Sequence, residues 1–350
     1  MSEARKGRGA TVNPAGRFER LAIDYEPHES AGDETTRTVA TEFYRDTSKS
    51  ILTSNDSPDV PMDVSINPYR GCEHGCIYCY ARPYHEYLGL SAGVDFESRI
   101  FVKENAAALL RAELMKPSWV PTHIGLSGVT DPYQPVERQL GITRQCLEVL
   151  AEFRNPVAVI TKNHLVTRDI DLLASLAEHQ AAQVFLSITT LDGRLAGVME
   201  PRASHPARRL EAVRTLADAG VPVGVMVAPI IPGLTDHEVP AILEAAAAAG
   251  AFTAGRNVVR LPHGVKDLFA AWLDTHAPDR KAKVLNRVRA MRDGKLNEST
   301  FGARMVGDGP FADSIHQMFD LHRRRLGLTR SLKLSSAAFR RPGGTQASLF

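Results

Sequence analysis

The chain has 350 residues, 43% of them hydrophobic, and 42 Lys and Arg against 40 Asp and Glu, a formal net charge of +2. That is enough apolar content for one large domain or two ordinary ones, and a near-neutral balance gives no global field arguing for nucleic acid. No apolar run approaches the ~18 residues of a membrane helix, and residues 1–50 lack a signal-peptide core, so a cytoplasmic protein that does not enter a membrane is expected.

Residues 1–55 mix charges of both signs with Gly, Pro, Ser and Thr and show little apolar periodicity. They read as an extended, partly disordered arm, whose Gly7-Arg8-Gly9 and Arg17-Phe18-Glu19-Arg20 either touch a nucleic acid or are simply solvated. From residue 62 short apolar runs alternate with helical segments. Strands are predicted over 64–67, 123–127, 157–161, 183–189, 221–228 and 253–261, and helices over 105–115, 143–153, 169–179, 206–219 and 239–249. Alternation with fully apolar strands means a parallel sheet covered by helices. Six such units predict an α/β fold, a partial (β/α)6 TIM-like barrel over 56–262, with its functional groups at the C-terminal ends of the strands. A helical extension follows over 263–328, with helices predicted at 265–292 and 313–326. Residues 321–350 carry seven Lys and Arg and no acid, so 329–350 reads as a flexible basic tail.

Cys72, Cys76 and Cys79 stand in the run Asn67-Pro-Tyr-Arg-Gly-Cys-Glu-His-Gly-Cys-Ile-Tyr-Cys-Tyr80, spaced C-x3-C-x2-C. Three thiolates this close in a glycine-bearing loop can reach three corners of a [4Fe–4S] cubane, leaving one iron open to a substrate or cofactor. An odd cluster does not suit disulfides, and structural zinc prefers four ligands in separated pairs. His74 would be a strained fourth zinc ligand inside the first spacer. Cys146, alone in a helical pattern, reads as a small core residue.

The C-x3-C-x-aromatic-C pattern resembles the radical S-adenosylmethionine (SAM) superfamily. With Cys79-Tyr80-Ala81-Arg82, Gly128-Val-Thr-Asp-Pro-Tyr-Gln-Pro-Val-Glu137 and Thr161-Lys162, the chain is similar to the spore-photolyase-related branch over about residues 60–330. The resemblance implies that the open iron binds SAM, and that one electron cleaves it to methionine and a 5′-deoxyadenosyl radical that takes hydrogen from a substrate. It also implies a reductant such as flavodoxin or ferredoxin, and a DNA or nucleotide lesion as substrate.

The resemblance further assigns residues. Tyr78 packs near the SAM adenine or merely fills the loop. Tyr80 relays a hydrogen atom or is a structural phenol. Thr130 and Asp131 reach the methionyl amine, although Asp131-Pro132 also suits a plain turn. Glu137 belongs to that loop's own polar network. Lys162 pairs with the SAM carboxylate or is simply an exposed lysine at a strand end, and Ser187 lies near the ribose or methionine or is a strand residue exposed at the rim. Arg202 and Arg208 either meet a substrate phosphate or are solvated. In spore photolyases a hydrogen-donor cysteine precedes the Thr130-Asp131 position; here Ser127-Gly128-Val129 stands there, which argues against that repair route.

The chain ends Gln346-Ala347-Ser348-Leu349-Phe350, which resembles a bacterial sliding-clamp-binding pentapeptide, with Leu349 and Phe350 as apolar anchors and Gln346 as the hydrogen bonder. Rival readings are a radical SAM enzyme acting on a protein, peptide or small metabolite, a non-catalytic Fe–S sensor or binding module, and a zinc-binding interaction protein.

Overall fold

The computed structural model describes residues 7–18, 39–60 and 62–343. The first strands are β1 (Glu42–Arg45), β2 (Leu52–Ser54), β3 (Val64–Ile66) and β4 (Tyr69–Arg70). After a 3₁₀ helix over Arg82–Leu88 come α1 (Val94–Ser98), β5 (Arg99–Val102) and α2 (Ala106–Met115). The chain continues through β6 (Ile124–Leu126), α3 (Glu137–Leu140), α4 (Ile142–Phe153), β7 (Val157–Thr161) and α5 (Ile170–Ala177). Then follow β8 (Ala182–Ser187), α6 (Gly193–Met199), α7 (Pro206–Asp218), β9 (Val223–Ile230), α8 (Val239–Ala248) and β10 (Thr253–Val258). Three helices close the series: α9 (Val265–His276), α10 (Pro278–Ala290) and α11 (Pro310–Arg325).

The main sheet has the order β10-β9-β8-β7-β6-β3-β2. The six strands from β3 to β10 in it are parallel, and β2 joins β3 antiparallel at one edge. This is the expected partial (β/α)6 barrel, open between β2 and β10 rather than closed. All six predicted strands and the five helices between them lie within a few residues of their expected positions. A smaller sheet, β1-β5-β4, was not anticipated. Its strands are only two to four residues long, too short to carry a periodic signal.

Strand side chains alternate, so one face of the barrel wall packs outward on the helices and the other turns inward. Val157, Val159, Val184, Leu186, Val223, Val225 and Val227 are all buried in the outer core with Leu147, Leu150, Leu216 and Leu243 from the covering helices. At roughly 1.5–3 kcal/mol per fully buried aliphatic side chain, this layer is the main source of the fold's stability. Cys146 belongs to it, and burial pushes its thiol up to about 12.

The segment predicted as one helix over 265–292 is two. Pro278 opens α10 and has no N–H to continue α9, and Ala277 leaves helical geometry at φ −151°, ψ 52°. The pair α9–α10 supplies a second apolar cluster, with Phe269, Trp272, Leu273 and Val284 packed together with Ile77 and Tyr78 of the cysteine loop. The extension therefore shares its core with that loop.

Two expectations need correction. Of the arm over 1–55, residues 7–18 and 39–55 are held by the body: Arg8 and Ala10 are buried, and β1 and β2 are paired strands. Of the tail over 329–350, residues 329–343 cross the floor of the barrel. Ser335 N–H donates to Gln180, Arg340 N–H to Phe153, and the Arg341 guanidinium to the carbonyls of Leu114, Lys116 and Trp119. Phe339 packs beside Phe153, 6.1 Å between ring centres, but anchoring that is otherwise to backbone carbonyls leaves no periodic apolar pattern to read. Gln346, Leu349 and Phe350 of the clamp-like pentapeptide lie outside the described residues. No helix among the described residues is long and apolar enough to cross a membrane.

Candidate iron–sulfur and SAM site

The cysteine loop begins where β4 ends. Gly71 turns the chain at φ +79°, and Gly75 does so again at φ +65°; a Cβ at Gly75 would stand 2.7 Å from the Glu97 carboxylate. Cys72 N–H donates to Phe96 (2.9 Å), Ile77 N–H to Met199 (3.1 Å) and Cys79 N–H to Cys76 (3.2 Å). The fully buried Arg82 ties the loop together. Its Nε donates to Cys76 O, one terminal nitrogen to Ala92 O and Gly93 O, and the other to Gly75 O and Glu97. All five guanidinium donors are thus used.

Glu97, equally buried, answers that charge and also accepts Gly9 N–H (2.9 Å) and Ala10 N–H (2.8 Å). A Cβ on Gly9 would lie 1.9 Å from the Gly75 carbonyl oxygen. The N-terminal strip therefore forms a backing for the cysteine loop, and only glycine permits that approach. Sequence reasoning missed this, since nothing local links residue 9 to residue 97.

All four cysteines are free thiols. Burial pushes the thiols of Cys72, Cys76 and Cys79 upward; Cys76 and Cys79 add to the rise at Cys72, and Cys79 to that at Cys76. Among the described residues no three His, Cys, Asp or Glu side chains converge on one point, the arrangement a single tetrahedral ion needs. Three thiolates that each take a different iron of one cluster need no such point, so the donor set fits a cluster better than zinc. His74 is not a spare ligand: its buried ring lies between the Asp131 carboxylate (3.3 Å) and the Asn163 amide (3.2 Å).

The loop sits over the C-terminal ends of β6, β7 and β8. Thr130 donates its hydroxyl to Gly71 O (2.6 Å) and accepts from Gln134, so it fastens the loop to the end of β6. Asp131 is enclosed by protein donors: Thr161 hydroxyl (2.7 Å), Lys162 N–H (2.8 Å), Tyr133 N–H (2.9 Å) and the His74 ring. Burial alone would raise its carboxyl, but His74 and these donors outweigh it and hold the group below the ordinary carboxylate range. Glu137 takes Thr143 N–H (2.9 Å), Arg168 (2.7 Å) and the Tyr69 hydroxyl, the loop network expected of it.

Lys162 projects from the end of β7 toward Glu200 (3.4 Å), Thr189 (3.3 Å) and Ala228 O (3.1 Å), with its ammonium 5.7 Å from the Tyr78 ring. Burial lowers Lys162 to about 8. Tyr78 is buried and donates its hydroxyl to Glu200. Glu200, absent from the sequence reading, is the hub of this wall. It binds Tyr78, Thr189 (2.8 Å), Lys162 and the buried Arg209, which in turn holds the carbonyls of Ser187 (2.9 Å) and Ser204 (2.7 Å). An isolated carboxylate in Met199-Glu200-Pro201 carries no pattern by which to find it. Ser187 lies on the same strand face as Phe185 and beside Met226 of β9. Arg202 pairs with Glu73 (2.9 Å) and Arg208 with Glu211, so neither cation is free in the site.

Tyr80 stands at the mouth. Its ring is partly exposed, its hydroxyl donates to Gly128 O (2.5 Å), and the Arg260 guanidinium lies 4.6 Å from the ring centre. Burial of the phenol end pushes it up to about 12, so it keeps its hydrogen at neutral pH.

The radical SAM superfamily model matches residues 66–246. An uncharacterised protein of Mycobacterium tuberculosis is 36% identical over 222 residues, covering 63% of this chain and 65% of that protein. The chain thus aligns to somewhat under two thirds of that relative's length. A protein of Pseudomonas phage M6 named radical SAM Nalpha-GlyT isomerase is 25% identical over 295 residues, covering 82% of this chain and 57% of that one. Among solved structures, a spore photoproduct lyase mutant with bound AdoMet and dinucleoside spore photoproduct superposes with TM-score 0.55 at 16% identity, covering 81% of this chain and 78% of that one. That family match spans more than half of the chain and covers both the cysteine loop and the strand ends over which the loop sits: the protein belongs to the radical SAM superfamily.

Proposed function

We propose that the protein is a radical SAM enzyme that binds a [4Fe–4S] cluster through Cys72, Cys76 and Cys79 and acts on a nucleic-acid or nucleotide lesion. The observation that carries the reading is the pinned three-cysteine loop facing the Lys162–Glu200 wall. Bound there, the cluster supplies one electron, drawn from a flavodoxin- or ferredoxin-type donor, for cleavage of SAM to methionine and a 5′-deoxyadenosyl radical.

The chain's own residues bind and orient. Lys162, the cation of the strand-end wall, takes the carboxylate of SAM by a charge-assisted bond. Asp131 has its oxygens occupied by protein donors, so its part is to fix Lys162 and the end of β7, together with Thr130, next to the methionyl amine. Tyr78, held at its hydroxyl by Glu200 and Thr189, offers a ring for the adenine, and Ser187 a hydroxyl for the ribose. The α9 side chains behind Ile77 and Tyr78 keep water from that side of the loop. Tyr80, protonated and hydrogen-bonded at the mouth, can hold or return a hydrogen atom on the substrate side.

The lesion reading is supported by the fold shared with spore photoproduct lyase. Ser127, whose hydroxyl bonds Thr130 O at 3.3 Å, stands where that family's donor cysteine would be, so the hydrogen must return by another route. Electron paramagnetic resonance of the reduced, reconstituted protein separates an enzyme from a passive Fe–S module. SAM is expected to shift the cluster signal, because it occupies the open iron. A spectrum identical with and without SAM would overturn the reading.

A further inference from the structure

Exposed rings cluster beside the mouth. Tyr84 is 54% exposed, Tyr87 67% and Phe18 55%. Tyr84 and Tyr87 belong to the 3₁₀ helix that starts three residues after Cys79, and residues three apart in such a helix share one edge. Their ring centres are 6.3 Å apart, and Phe18 continues the row 5.0 Å beyond Tyr87. Tyr80, also partly exposed, lies between this row and the cysteine loop.

Cations flank the rings. Arg260 lies over Tyr80, and Arg292 donates to Val259 O (2.7 Å) and Arg304 O (3.2 Å) beside it. Among the described residues neither Arg260 nor Arg292 makes an ion pair, whereas Arg304 is matched by Asp59 and Arg17 by Glu86, each at 2.5 Å. Arg292 is buried and out of reach of a ligand, which leaves Arg260 as an uncompensated guanidinium at the edge of the candidate site. Wide aromatic faces in series beside an unmatched arginine are what stacked bases and their phosphates require. A duplex hides base faces, so the row suits an unpaired strand.

We propose that this face holds an unpaired nucleic-acid strand, with bases on Tyr84, Tyr87 and Phe18 and a phosphodiester on Arg260, leading a nucleotide to Tyr80. The proposal rests on the radical SAM reading for what happens to that nucleotide, but the binding stands apart from it. The test is fluorescence-anisotropy titration of the reconstituted protein with labelled oligodeoxythymidylate across a salt series, beside its duplex with oligodeoxyadenylate. Single-strand binding is expected to be the tighter. Tyr87→Ala should weaken it about tenfold, as loss of one stacked base does, while leaving 5′-deoxyadenosine formation unchanged. Arg260→Gln should lower the slope of log K against log salt by about 0.7 units, as loss of one phosphate contact on a single strand does.

Binding that is absent, that prefers the duplex, or that is unchanged in both variants would overturn the proposal. So would a dimer abolished by Tyr87→Ala with no strand binding, since the rings would then be an interface between copies. Strand binding with no SAM cleavage would sink the enzymatic reading and leave this surface standing.

Discussion

Replacing Arg82 by lysine keeps the charge opposite Glu97 and removes the fork. Arginine places five N–H groups on five acceptors here, four of them carbonyls of residues 75, 76, 92 and 93. Lysine has three donors, so at least two acceptors lose a partner in a site from which water is excluded. At roughly 1.5–3 kcal/mol for each hydrogen bond to a charged group, the loss is about 3–6 kcal/mol, a large share of the ~5–15 kcal/mol that holds a domain folded. Urea unfolding of the iron-free Arg82→Lys protein, compared with wild type at matched slope, reads the stability. Iron retained after reconstitution reads the loop. The same variant should keep markedly less iron, because the carbonyls that Arg82 holds include those of Gly75 and Cys76. A variant within about 1 kcal/mol of wild type and with full iron would refute the view that this guanidinium organises the cysteine loop.

Gly9→Ala inserts a Cβ 1.9 Å from the Gly75 oxygen, a clash between backbones that no rotamer relieves. Trypsin should then cut after Arg8 several-fold faster, and equal cleavage rates would show the strip is not a backing. His85 is buried against Phe96 and Phe101, its Nε2 has no hydrogen-bond partner among the described residues, and desolvation lowers it to about 4 from 6.5. Between those values the unfolded chain binds the extra proton, so stability rises with pH through the window and about 3 kcal/mol is lost on acidification from pH 6.5 to 4. Unfolding curves of His85→Gln should lack that slope; an unaltered pH profile would assign it elsewhere. Lys162→Met should weaken SAM binding at least about tenfold, the worth of one charge-assisted bond. Equilibrium dialysis showing wild-type affinity would remove Lys162 from the SAM site.

The barrel was legible because its strands are buried on both faces and read as β-branched runs between turn signals, as in Val157–Thr161 and Val223–Ile230. The cysteines were legible because three ligands share one short loop. What escaped notice acts across the fold. Gly9 and Glu97 meet only through tertiary contact, and Glu200 gathers Lys162, Tyr78 and Arg209 from three separate segments. Within residues 329–343, Arg340 and Arg341 bind backbone carbonyls, contacts that look solvated in a linear reading. The break between α9 and α10 was in plain view at Ala277-Pro278, but helical patterning on both sides concealed it. Asp131 was read as a contact to the methionyl amine of SAM or as a turn, and in the fold it clamps His74, Thr161 and Lys162.

The central claim is that the three-cysteine loop drives SAM cleavage. The direct measurement is 5′-deoxyadenosine formed by anaerobic, reconstituted protein given dithionite and SAM, beside Cys76→Ala, with and without a lesion-bearing oligonucleotide. The account predicts product from the wild type and none from the variant. No product from fully iron-loaded wild type under either condition, or equal product from Cys76→Ala, would contradict it.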